Sequence, residues 1–255
     1  MNETLKLIDQ RMSLRRYAPQ AIRPEDVDAI LESAMRAPTA MNMMLYSIVE
    51  VADPAKKEKL AETCGHAFIA DAPLVLLFLA DMQRWVDYYE SADVPATCER
   101  EGIDYMTPKG ANLLMSCCDA LIAAQNTVIA AESLGIGSCY IGDVMGHCEE
   151  HRELFDLPKW AFPITLVCYG YYPEDLERRR TTRFDRRFIH FRDTYRHLDE
   201  NDFSEMLAEI EAKFADYLAK HGRSLAEQTY RSFTLGPPQL EEARSVEILL
   251  RDWMG

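Results

Sequence analysis

The sequence predicts a domain that mixes helices with buried strands, of the α/β or α+β class, followed by a helical extension from about residue 200. Three observations predict it. Leu74 to Ala80 is apolar throughout, as in a strand buried on both faces with helices on each side. Ile164 to Tyr172 is a second stretch of that kind. Between and beyond them, apolar residues recur at helical spacing.

In chain order, residues 3–11 read as a short helix with Leu5 and Ile8 on one face. Residues 24–36 are a clearer one. Pro24 suits the first helical position, Glu25 and Asp26 suit the positive helix end, and Val27, Ile30, Leu31 and Ala34 make one stripe. Pro38 stops it near Ala37. Tyr46 to Val51 reads as a strand, and Asp53-Pro54 opens a helix to about Thr63. Residues 81–109 are read as irregular, aromatic and charged. Residues 110–134 form a long helix closed by Gly135. Its small residues Ala120, Ala123, Ala124, Ala130 and Ala131 allow close helix approach, inside the fold or across a dimer.

Ser138 to Ile141 is a short extended stretch closed by Gly142, and a helix follows from about Cys148 to Phe155. From Phe203 the pattern is helical: Met206, Leu207, Ile210, Phe214, Tyr217 and Leu218 continue one stripe. Ser224 and Glu227 fit a capping box. Gly236-Pro237-Pro238 is read as a break, with a last helix from about Leu240. The expected division is a domain of residues 1–199 and an extension of residues 200–255.

The chain has 255 residues and a formal net charge of −14. That acidity disfavours nucleic acid and an anionic membrane surface as partners. No continuous apolar run approaches the ~20 residues of a membrane span. The start, Met1 to Lys6, lacks a signal-peptide pattern. The seven cysteines form no Cys-x-x-Cys pair and are expected as reduced thiols in a cytoplasmic protein. No spacing suggests a metal site.

Four clusters carry candidate chemistry. Arg11, Ser13 and Arg15 alternate, so an extended chain turns them to one side as a phosphate seat; a solvated basic turn is the plainer reading. Ala37-Pro38-Thr39-Ala40-Met41-Asn42 joins a helix to a strand, and Asn42 offers a donor and an acceptor to a heterocycle edge or simply closes a turn. Gly135 to Asp143 holds three glycines, which let backbone approach a flat ligand closely or make a helix cap and a turn. It is neither a dinucleotide fingerprint nor a P-loop. Arg178 to Arg187 holds six arginines, either a second part of the phosphate seat or a basic loop paired with nearby acids.

In this order the clusters resemble the FMN-dependent nitroreductase family over about residues 5–192. The residues that carry the resemblance are Arg-x-Ser-x-Arg-x-Tyr, Ala-Pro-Thr-x-x-Asn, Gly-x-Gly-Ser-Cys-Tyr-Ile-Gly-Asp and Thr-x-Arg-Phe. The resemblance implies an α+β, three-layer fold with a central mixed β-sheet flanked by helices. It also implies a homodimer with FMN at the subunit interface. Arg11, Met12, Ser13 and Arg15 then hold the phosphate from one side and Arg183 from the other. Thr181 stands where many members have Lys, and Arg180 is the neighbouring charge that replaces it. Thr39, Ala40 and Asn42 match the loop that holds the flavin from the neighbouring side. Cys139, Tyr140, Ile141 and Gly142 match the segment along the isoalloxazine, with the Ile141 N–H expected at flavin N5.

The implied reaction passes hydride from NADH or NADPH through FMN to a small-molecule acceptor, a nitroaromatic or quinone, with ping-pong kinetics. Met12 replaces the His or Arg often found there, and Met43-Met44-Leu45-Tyr46 replaces a common x-Gln-Pro-Trp. Trp85, Tyr88, Tyr89 and Tyr105 are candidates for an aromatic lid. Glu101, Tyr105 and Lys109 would clamp an amino-acid zwitterion if they shared a helix, which Met106-Thr107-Pro108 disfavours. The alternatives are a flavin-dependent dehydrogenase or reductive dehalogenase, and a flavin-binding protein without turnover.

Overall fold

The structure is a computed structural model that describes residues 1–179 and 181–255. At its centre, among the described residues, is a four-stranded sheet. Its strands are β1 (Tyr46–Glu50), β2 (Leu74–Asp81), β3 (Ile136–Ile141) and β4 (Ala161–Tyr171), in the order β1-β2-β4-β3. Every strand pair is antiparallel. The parallel component expected of a mixed sheet is a single bridge, Ser13 to Ser138, on the outer edge of β3.

Helices cover both faces, giving the expected three layers and the α+β class. On one face α2 (Pro24–Met35) and α6 (Gly110–Ser133) pack Ile30, Ala34, Ala120, Ala124 and Val128 against Leu76, Phe78 and Tyr169. The alanines of α6 therefore serve the fold, since Ala120, Ala123, Ala124 and Ala131 are buried. On the other face α3 (Pro54–Thr63) and α7 (Cys148–Phe155) cover Val75, Leu77, Leu166 and Cys168. By length and composition α6 could cross a membrane. Here one side of it is the core of the fold, and its Asp119 and Glu132 are buried and hydrogen-bonded.

Several expected boundaries move. Residues 81–109 contain two helices, α4 (Gln83–Ser91) and α5 (Val94–Glu101), where an irregular stretch was expected. Asp81 accepts from the Gln83 N–H at 2.8 Å and so starts α4; Gly102, at φ 69°, ends α5. Each is too short to show a repeated apolar period. Strand β4 begins three residues earlier than expected, at Ala161, with Pro163 tolerated where the β2–β4 register shifts at Leu79. The last helix, α10 (Pro237–Met254), starts at the proline pair. Prolines in the first turn lack only N–H groups that have no helical partner there.

The chain divides into two compact units, Met1–Arg179 with Glu241–Gly255, and Arg180–Leu240. The second unit holds α8 (Glu200–His221) and α9 (Leu225–Phe233). The Ser224–Glu227 capping box forms as expected. In the first unit, α1 (Glu3–Gln10) leads into the segment that joins β3.

Candidate active site

The Arg11–Arg15 segment is locked to the sheet edge. The Leu14 N–H donates to the Ser138 carbonyl at 2.9 Å. Leu14 is buried over Gly137, where a Cβ would lie 2.6 Å from Leu14 Cδ2. The alternation read from the sequence therefore holds. Leu14 enters the core, and Ser13 and Arg15 turn together toward the buried Cys139 thiol. Burial pushes that thiol up, while Arg15, Ser13 and Arg11 pull it down. Arg11 also lies near the Tyr140 and Tyr172 hydroxyls. Its Nη1 is buried and has no hydrogen-bond partner, nor has Ser138 Oγ. A buried cationic donor with no acceptor is costly, so this corner fits an anion such as a phosphate. Met12 is half-buried in the same segment.

Thr39, Ala40 and Asn42 lie in a tight loop. Met41, Asn42 and Met44 all have positive φ, at 51°, 59° and 51°. Asp119 holds the loop in that shape. Its buried carboxylate accepts from the Thr39 hydroxyl, from the Ala40 N–H at 3.2 Å and from the Leu45 N–H at 3.2 Å. The Met44 N–H donates to Thr39 Oγ1 at 2.8 Å. Asn42 is exposed at the tip. Asp119 was missed at the level of sequence. The signal was present: it is the one charged residue of α6 before Glu132.

Cys139, Tyr140 and Ile141 end the edge strand β3, and exposed Gly142 follows. The Ser138 carbonyl points outward to Leu14, so Ser138 and Tyr140 present their backbone groups to the outer edge. Ile141, opposite Leu166, turns its N–H inward to β4. The first amide beyond the ladder is that of Gly142.

The two parts of the site meet the same helix. The Thr39 loop docks at Asp119, and the Tyr140 hydroxyl donates to Gln125 Oε1 at 3.3 Å. Six residues of helix separate these points, about 9 Å of rise. Next to the loop is a cleft of about 690 Å³ whose walls include Met43, Met82, Tyr89, Tyr105 and Lys109. Trp85 supports it by donating to the Met43 carbonyl at 3.0 Å. Gly102 ends α5, so Glu101, Tyr105 and Lys109 share no helix and the zwitterion clamp does not form.

The basic loop resolves differently for each arginine. Arg178 pairs with buried Glu132 at 2.8 Å and stacks on Tyr172, so it is structural. Arg179 pairs with Glu177 and Arg187 with Glu205. Arg183 is exposed in the second unit and donates to the Thr182 carbonyl at 3.2 Å. Arg180 lies outside the described residues. Among the described residues no group of His, Cys, Asp or Glu could hold a metal, and the seven cysteines are free thiols.

A family model described as the nitroreductase family matches residues 8–171. The chain belongs to the nitroreductase family. It is 29% identical over 221 residues to a Bacillus subtilis protein named FMN reductase [NAD(P)H], covering 86% of this chain and 84% of that one. It is 27% identical over 231 residues to a second B. subtilis protein, named FMN reductase (NADPH), covering 90% and 89%. The solved structure of NfrA2 from B. megaterium superposes with a TM-score of 0.77 at 29% identity, covering 100% of this chain and 98% of that one.

Proposed function

We propose that this nitroreductase-family chain is an FMN-dependent NAD(P)H oxidoreductase that reduces a nitroaromatic, quinone or similar small acceptor. The observation that carries the reading is the buried, unpartnered guanidinium nitrogen of Arg11 beside Ser13 and Arg15. The B. subtilis relatives' names agree with it. FMN, when bound, supplies the two-electron chemistry between nicotinamide and acceptor.

The chain's own residues hold and polarise. Arg11, Ser13 and Arg15, with Met12 between them, seat the phosphate. Thr39, Ala40 and Asn42 meet the ring edge, with Asp119 keeping the loop rigid. Cys139 and Tyr140 line the ring, and the amide donor assigned to Ile141 passes to Gly142 for the parity reason above. Arginines and a fixed amide favour negative charge on the ring. Nicotinamide and acceptor would use the same face in turn. Parallel double-reciprocal lines at varied NADPH and acceptor support this; intersecting lines contradict it.

The site is shared between two subunits in this reading. The outer face of α6 shows Leu114, Met115, Leu121 and Ile122 to solvent, 39–69% exposed. An apolar face of that kind is typical of an interface. A homodimer formed there brings one protomer's Thr39 loop toward its partner's phosphate seat. The free thiols favour a cytoplasmic setting. Residues 1–199 are proposed as the flavin domain and 200–255 as its extension, of which residues 241–255 belong to the first compact unit.

A further inference from the structure

We propose that Trp253, in the last turn of α10, is a positioning residue that sets the width of the Met-lined cleft, and through it the size of aromatic acceptor admitted. The proposal rests on the oxidoreductase reading only for the word acceptor; the cleft and its support stand on geometry.

The walls of the cleft come from parts of the chain far apart in sequence. Leu45 and Met82 are buried in its floor, Tyr89 belongs to α4, and Tyr105 to Lys109 form a rim that is neither helix nor strand. The rim is anchored at its far end to α10. The Trp253 Nε1–H donates to the Lys109 carbonyl at 3.3 Å, and the Lys109 Nζ donates back to the Met254 carbonyl at 3.0 Å. The Trp253 side chain is 1% exposed and belongs to the apolar cluster of Leu45, Met82, Leu113 and Phe162. Its own carbonyl accepts from Trp160 Nε1 at 3.2 Å. One residue thus packs in the cluster that forms the floor and hydrogen-bonds the rim. The Lys109 carbonyl also accepts from the Asn112 and Leu113 N–H groups at 3.0 and 3.2 Å, so Trp253 joins the first turn of α6 in fixing the far end of the rim, from which Tyr105 to Pro108 run back over the floor.

The occupant that fits is flat, aromatic and uncharged over most of its area. Met43, Met82, Met106 and Met115 line the cleft with Tyr89 and Tyr105. Thioethers contact aromatic ring edges favourably and adapt to shape. Lys109, with donors beyond the one given to Met254, can meet a carbonyl oxygen at the rim. A fused-ring quinone meets these demands and offers more ring edge to the thioethers than a single-ring quinone does.

The test uses the full-length protein and two substitutions, Trp253→Phe, which keeps a ring and removes the indole donor, and Lys109→Met, which keeps the stem and removes the ammonium. Binding of 1,4-naphthoquinone and 1,4-benzoquinone is read by quenching of the remaining tryptophans, so no turnover is required. Amide hydrogen exchange over residues 103–113 is read alongside. The expected result is faster exchange confined to that segment and a several-fold change in the naphthoquinone-to-benzoquinone affinity ratio in both variants. An unchanged ratio in both, unchanged exchange, or no quinone bound by the unaltered protein overturns the proposal. Absent NAD(P)H turnover with the ratio behaving as expected would count against the oxidoreductase reading alone.

Discussion

Arg11 presents a buried guanidinium nitrogen with no acceptor, next to Ser13 and Arg15. Replacing Arg11 or Arg15 with Ala should weaken FMN binding by about 1.5–3 kcal/mol, roughly ten- to a hundredfold in Kd. Flavin fluorescence titration reads this, and an unchanged Kd in both variants refutes the phosphate seat. Asp119→Ala should reduce stability by about 3 kcal/mol, since two N–H groups and a hydroxyl lose their acceptor; denaturant unfolding measures it. His151 supplies a pH dependence. It is fully buried, its Nδ1 lies 2.9 Å from the Val144 carbonyl, and burial holds its pKa below the ordinary 6.5. The unfolded chain therefore binds the proton first, and stability falls as pH drops below about 6.5, by up to about 1.4 kcal/mol per unit. Unfolding free energies from pH 7.5 to 5.5 check the sign, and a rise toward pH 5.5 contradicts it. At this scale the sequence could show that Ser13 and Arg15 share one side, because alternation along one strand-like segment is local. It hid Asp119, whose partners lie about eighty residues away.

At the scale of elements, the seat depends on Gly137. A methyl group there would meet Leu14 Cδ2 at 2.6 Å and a Tyr172 ring carbon at 2.7 Å. Gly137→Ala should lift the Arg11–Arg15 segment off β3, lowering FMN affinity while the sheet itself stays folded. Circular dichroism with an FMN titration separates the two, and full FMN affinity in the variant rules the docking argument out. The long elements were legible because their period or unbroken apolarity repeats: α2, α3, β2, α6 and α7 lie within a residue or so of expectation. The misread ones are set by single contacts that no period reveals. The Asp81 cap starts α4, the register shift at Pro163 hides the start of β4, and the first-turn prolines of α10 look like a break. Which way the Ile141 amide faces was hidden for a related reason, since strand parity is fixed only when the partner strand is known.

For the whole molecule, the account needs two copies. Leu121→Glu with Ile122→Glu on the exposed face of α6 should give a monomer by light scattering, with FMN lost as well. A dimer that keeps its flavin would remove this face from the interface. The net charge of −14 disfavoured nucleic-acid and anionic-membrane partners. It could not show that the apolar residues of α6 divide into a core side and an outward side. The measurement that bears most directly on the central claim is the visible spectrum of the purified protein, with release and identification of any chromophore. The account predicts an oxidised-flavin spectrum, about one FMN per chain, bleached by NADH or NADPH. A colourless protein that cannot be reconstituted with FMN would contradict it.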